Sequence, residues 1–398
     1  MIMYFTILCL FFPLLGIPST LYIATKRKKG KLFFLFPVCI YLFVLGWYFE
    51  PTIFSDLTRY FSNYMDVARG MNFFDYNNSF LGTEKLFVVQ HTFFYVLSRF
   101  KTNQILPAIT VFLVYFLGFY ILSDYFKKID TKKNVEFFCY LFFLIVVPFA
   151  LVANNIRNIL AVALIAVALY KDMFAKGNKL IIGLIYLIAC LMHIGVVPFV
   201  LIRLFIIIIN NFSLKRLAVW LLFFAIFCGG LLLFIRTSFG TYFFEKMVFY
   251  LTAGSNSQSN VNAWFIAADN SLVLKINKYI SILFSLFLLF FLMKSSRGHL
   301  YGISKNVVLF FTFTVLLIVG LGLFFPGTTW YRFFYLIYFF SPIFIYYVSV
   351  DGNLFEKLFV VFMVVWLIFW QYYQITHQSI FESDFIWGIL SPITFLFR

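Results

Sequence analysis

The residues of this chain best placed for chemistry are arginines that open apolar runs. Arg157 stands in Asn154-Asn155-Ile156-Arg157-Asn158, where two apolar stretches meet, and Arg332 stands in Thr328-Thr329-Trp330-Tyr331-Arg332, at the head of another. A helix N-terminus favours acids, so an arginine in its first turn runs against the helix dipole. The placement makes sense when the arginine and the free helix amides face one anion. Guanidinium binds phosphate oxygens in pairs, which makes a phosphate-bearing ligand the natural partner. A snorkelling or carbonyl-bonded arginine is the structural alternative at both positions.

A second set lies in Ser55-Asp56-Leu57-Thr58-Arg59-Tyr60-Phe61-Ser62-Asn63-Tyr64. At three- and four-residue spacing Asp56, Arg59, Tyr60, Asn63 and Tyr64 share one face of a short helix that Ser55 can cap. A carboxylate, a guanidinium and two phenols on one face suit a carbohydrate-like or phosphate-like ligand, while Leu57, Phe61 and Met65 can lie on an apolar bundle. An amphipathic helix that merely covers the bundle is the plain alternative. Glu84, in Gly82-Thr83-Glu84-Lys85, is a second carboxylate beside this set. Asp56 or Glu84 could serve as a general base, and a first-turn role is the structural alternative for Glu84. His193 sits in Met192-His193-Ile194-Gly195, a turn within the apolar stretch Leu180–Asn210. Its imidazole could donate to a phosphate or move a proton; a satisfied core histidine is the alternative.

The elements that must position these groups are membrane spans. The chain of 398 residues is 63% hydrophobic and 12% charged. Soluble domains carry about 25% charged residues, so an all-α polytopic membrane protein is expected, with 1–398 as a single integral domain. The net charge of +16 does not indicate nucleic acid, because Lys and Arg cluster in short loops between apolar runs. Such clusters hold loops on the cytoplasmic side of the lipid bilayer.

With about 17–20 apolar residues needed per crossing, roughly twelve spans are expected. They fall near 3–24, 32–49, 105–126, 135–152, 156–171, 180–193, 196–210, 216–235, 279–293, 306–325, 330–349 and 357–372. Eighteen of the 31 basic residues then lie in short cytoplasmic loops, with both termini outside. The run Met1–Ala24, followed by Lys26-Arg27-Lys28-Lys29, reads as a retained span. Leu86–Phe100, which holds Gln90, His91 and Arg99, reads as a re-entrant or interfacial helix on the outer side. Two long outer segments, 50–104 and 236–278, are the places for folded structure outside the bilayer, with short amphipathic helices. Cys9, Cys39, Cys139, Cys190 and Cys228 all fall in apolar runs without metal-ligand spacing, so no metal site and no cofactor is expected.

These landmarks resemble, in order, those of the EpsG family of polysaccharide polymerases. The resemblance rests on Asp56, Tyr60 and Tyr64 after the second span, Glu84 before a short helix, Ile156-Arg157-Asn158 leading an Ala-rich span, Leu191-Met192-His193 closing the sixth, and Trp330-Tyr331-Arg332-Phe333 late in the chain. It covers roughly residues 50 to 340. It implies a Wzy-like glycosyltransferase of the bacterial inner membrane, with an outward-facing site that polymerises O-antigen or capsule repeat units. The implied ligand is a polyprenyl-pyrophosphate-linked oligosaccharide, and a chain-length regulator is an implied partner. Arg157 and Arg332 would hold phosphates with Arg59 assisting. Tyr60, Tyr64 and Tyr331 would contact glycan, and Asp56, Glu84 and His193 would be the catalytic candidates. A related lipid-linked-sugar transferase or ligase, or a flippase or transporter, is the alternative. A flippase needs ionisable groups distributed through its spans.

Overall fold

The computed structural model describes residues 1–53, 55–80, 82–129, 131–211, 271–297, 303–324 and 329–378. The expected span 216–235 lies outside these residues, as does all of the segment 236–278 before residue 271, including the Gly254–Asn260 tract. Among the described residues the chain is helical throughout and contains no strand.

Among the described residues, five helices are long and apolar enough to cross a membrane alone. They are α7 (Ile105–Lys128), α13 (Leu272–Arg297), α14 (Lys305–Phe324), α15 (Thr329–Asp351) and α16 (Leu354–Gln378). Together they make the chain a helical membrane protein. The most enclosed is α15, with 83% of its apolar window buried against 28% for α16, so α15 is the central post of the bundle. Its interior face is phenolic as well as apolar: Tyr335, Tyr338, Tyr346 and Tyr347 are all buried.

Other expected spans take a different form. The run 3–24 is not one span but a hairpin of α1 (Ile2–Phe11) and α2 (Pro13–Lys26). Pro13 cannot continue a helix from Phe12, whose backbone leaves the helical region at φ −135. The two helices fold back so closely that a Cβ on Gly16 would stand 2.6 Å from the Cys9 Cα, and Cys9 Sγ lies 3.4 Å from Thr20 Oγ1. A ten-residue helix is about 15 Å long, half a bilayer core. A crossing by α1 is therefore excluded on length.

After α3 (Lys31–Trp47) come α4 (Asp56–Tyr60), α5 (Phe73–Ser79) and α6 (Val88–Ser98), which together form a folded cap. Ser55 accepts from the Thr58 amide at 3.2 Å, the expected N-cap. From Phe61 to Asp66 the helix widens into a π turn before a last α turn, Val67–Arg69. Arg69 ties the cap to the chain that enters α7 by bonds to Asp66 (2.9 Å), Asn103 (2.6 Å) and the Ser98 carbonyl (3.3 Å). At about 16 Å, α6 is too short to cross.

The expected span 135–152 is broken. It runs as α8 (Lys133–Val146), stops at Val147-Pro148, and resumes as the short α9 (Phe149–Asn154). Pro148 lacks an amide, so carbonyls at the break lose their helical partners. One side chain from α16 takes them up. Gln371 Nε2 donates to the carbonyls of Ile145 (3.0 Å) and Val147 (2.7 Å), and Gln371 Oε1 accepts from the Phe149 amide at 3.0 Å. Tyr115 of α7 adds a bond of 2.7 Å to the Val147 carbonyl. Backbone polar groups inside a membrane must be satisfied by protein, and these two side chains make the break tenable. The break fixes α9, and α9 delivers Asn154 and Asn155 to the head of α10 (Ile156–Leu169). That helix continues as a second π turn, Tyr170–Phe174, and is followed by α11 (Lys179–Met192) and α12 (Val197–Asn211).

Candidate functional site

Arg157 lies in the first turn of α10, half-buried, and its guanidinium reaches the cap. Its Nε donates to Tyr60 Oη at 3.2 Å, and its Nη1 donates to Tyr64 Oη at 3.2 Å and to Gln90 Oε1 at 3.4 Å. The guanidinium carbon also stands 5.1 and 5.5 Å from the Tyr60 and Tyr64 ring centres. These three partners are neutral, and they fix the plane of the guanidinium. Behind them Tyr64 stacks on Phe94 at 4.8 Å, which ties the phenols to α6.

The expected polar face of α4 divides here. Tyr60 and Tyr64 turn inward to Arg157, whereas Asp56, Arg59 and Asn63 face outward; Arg59 is 61% exposed and forms an ion pair with Asp56. The π turn begins only at Phe61, so the separation of Asp56 and Arg59 from Tyr60 already lies within α4. Helical spacing alone put all five on one face; the structure brings only the two phenols to Arg157.

Arg332 occupies the first turn of α15, as expected, three residues before Tyr335. Tyr335 Oη accepts from Asn155 Nδ2 at 3.3 Å and lies within electrostatic reach of both Arg332 and Tyr60. Tyr335 therefore connects the Arg332 turn to the Arg157 turn. Tyr331 points elsewhere: its hydroxyl accepts from Trp370 Nε1 at 3.1 Å and from Tyr338 Oη at 3.2 Å, inside the α15–α16 packing.

His193 caps α11 in extended backbone (φ −159, ψ 128) and begins a single turn, Ile194–Val196, that leads into α12. Glu84 lies on the 3₁₀ turn Gly82–Leu86 of the cap, half-buried. That turn ends at Phe87, which packs with Ile194 and Val197 in a small apolar cluster. The Glu84 turn and the His193 turn are thereby brought side by side.

Gln90, Asn155 and Tyr335 belong to this site and were not singled out from the sequence. Gln90 and Asn155 were visible as polar residues in apolar surroundings, but nothing marked Tyr335 among 25 tyrosines. His91 was also missed. It is buried, stacks on Phe80 at 3.9 Å, and places Nδ1 2.8 Å from Asn77 Oδ1. Desolvation, and then the nearby Arg157 charge, lower its pKa to about 4. The ring is thus neutral when folded, while an unfolded chain would protonate near 6.5. Stability from this site is complete above about pH 6.5 and is lost as pH falls toward 4. Amide exchange across α5 and α6 should accelerate through that window, and His91→Gln should flatten the response. Unchanged exchange in the native protein from pH 7 to 4 would refute it.

The opposite, lysine-rich end of the bundle also holds buried charge. Glu136 accepts from Lys31 (2.5 Å), Thr131 (2.7 Å) and Tyr140 (3.0 Å). Asp124 meets Lys128 and Tyr170, Glu356 meets Lys294, and Asp172 meets Arg203 through two bonds of 2.5 and 3.1 Å. At this end each of these carboxylates has its cation. No protein-family model, curated protein or solved structure matches the chain.

Proposed function

We propose that this protein is a Wzy-like glycosyltransferase, which transfers a growing glycan from polyprenyl pyrophosphate to a lipid-linked repeat unit at the Arg157 end of the bundle. The observation that carries the reading is the orientation of Arg157: a cation at a helix N-terminus, held by two phenols and an amide beneath a folded cap. Such a group can bind a pyrophosphate and stabilise the charge that develops as it leaves. Arg332, linked through Tyr335, supplies the second cation, and Arg59 or His193 assists.

In the reaction the acceptor hydroxyl oxygen bonds to the anomeric carbon of the donor sugar. The bond from that carbon to the phosphate oxygen breaks, and the pyrophosphate leaves with the electron pair. The hydroxyl proton passes to a base, for which Asp56 and Glu84 are the candidates. Their settings differ: Asp56 is committed to Arg59, whereas the Glu84 carboxylate makes no ion pair among the described residues and its turn adjoins His193. In this reading the site faces outward from the bacterial inner membrane.

The direct test is polymer formation by the purified protein in liposomes from the host cell's own lipid-linked repeat unit. Asp56→Asn and Glu84→Gln are compared with wild type. Loss in one variant alone identifies the base, and activity in both shows that stabilising the leaving group suffices. A wild-type protein that makes no polymer defeats the reading.

A flippase or transporter is the second reading. The observation that favours it is the Asp172–Arg203–Tyr186 cluster between α10, α11 and α12, where Arg203 Nη1 is buried without a hydrogen-bond partner among the described residues. Movement of the same lipid across protein-containing vesicles, without polymer, would select it.

A further inference from the structure

We propose that Asn158, Gly195 and His193 form a niche that holds one hydroxyl group of the acceptor sugar, an inference that rests on the glycosyl-transfer reading. Asn158 follows Arg157 by one residue, so it projects about 100° around α10, away from the cap and toward the His193 turn. It is 5% exposed, and its Nδ2 has no hydrogen-bond partner among the described residues. A buried amide donor without a partner is costly and calls for an explanation.

Gly195 supplies the shape. A Cβ there would stand 3.0 Å from His193 Cδ2 and 3.1 Å from Nε2, so any side chain would press on the ring and make it give by a few tenths of an ångström. The same point is 3.6 Å from Asn158 Oδ1. The absent side chain leaves the imidazole and the carboxamide facing one point beside Gly195. His193 and Gly195 are half-buried, so the niche is reachable from the site, and the Glu84 turn adjoins it through Phe87 and Ile194.

The chemistry selects a hydroxyl. An amide donor and an imidazole nitrogen that can accept suit an alcohol, which both accepts and donates. Neither is a fixed cation, as a phosphate subsite would need. Arg157 and the niche thus divide the substrates between two faces of one helix, phosphate toward the cap and hydroxyl toward His193. In the transfer step the niche would hold the attacking oxygen while its proton leaves.

The test uses the full chain in liposomes, with the lipid-linked repeat unit purified from cells that lack this chain as the probe. Gly195→Ala and Asn158→Ala should each raise the acceptor KM about tenfold or more, while retention of the labelled lipid-linked unit by the Arg157 side persists. Asn158→Asp sets a carboxylate beside His193 and should move the acid limb of the pH–rate profile upward by about one unit. Arg157→Ala should instead lose retention of the lipid-linked unit. If Gly195→Ala fails to give a monodisperse protein, the two Asn158 variants decide. A wild type without polymer defeats the parent reading. An active wild type, with acceptor KM and pH profile unmoved in the Asn158 variants, overturns the niche and leaves a structural water as its occupant.

Discussion

Arg157→Ala should make no long polymer and should leave single repeat units on the lipid carrier. The guanidinium joins the head of α10 to the cap, through Tyr60, Tyr64 and Gln90. Its removal takes away a positive charge where the proposed leaving group develops negative charge. Losing a preorganised electrostatic partner of this kind costs about 10²–10³ in rate. Arg157→Lys should recover only a fraction, because an ammonium cannot bond both phenols and still present a fork to phosphate. Tyr64→Phe removes one orienting bond and should cost about tenfold or less. Chain-length distributions on gels, with expression checked by immunoblot, give the measurement. A normal ladder from Arg157→Ala would remove this residue from the site.

The largest effect on stability is expected at the other end of the bundle. Lys31→Met leaves Glu136, 1% exposed, without its cation. Removing one partner of a buried pair costs about 3–5 kcal/mol, since the remaining charge is stranded in a low-dielectric interior. Thr131 and Tyr140 still donate to the carboxylate but carry no compensating charge. The double variant Lys31→Met with Glu136→Leu should be more stable than Lys31→Met alone, because it removes the stranded charge as well. Thermal unfolding in detergent reads both. Equal stability in the single and double variants would mean that the pair is not coupled.

The sequence carried the polytopic helical character, the two arginine turns, the Ser55 cap and the existence of a folded segment after α3. These follow from composition, hydropathy and capping rules that act within a few residues. What could not be read shares one cause: the partner is far away in sequence. Lys31 looked like one more topogenic lysine until Glu136, 105 residues later, closed on it. Asp172 and Arg203 lie on separate elements, and Tyr335 reaches Asn155 across 180 residues. The division of the α4 face has the same cause, since Tyr60 and Tyr64 turn toward Arg157, 97 and 93 residues later in the chain. The hairpin at Phe12-Pro13 was hidden in a run whose apolar length fits one span, with the proline as its one visible signal.

The bridged break before Phe149 also sets an order of assembly. Gln371 lies 222 residues beyond Phe149, on the last described helix. At about 5–20 residues per second, the ribosome takes tens of seconds to reach it. Through that interval Tyr115 of α7 can already meet the Val147 carbonyl, while the Ile145 carbonyl and the Phe149 amide wait for Gln371 on α16. The Arg157 turn follows directly on α9, so the site is completed only after α16 has been made. A polypeptide released before α16 would insert its spans and still lack an ordered site, which makes the arrival of Gln371 a built-in check that synthesis has run to this point.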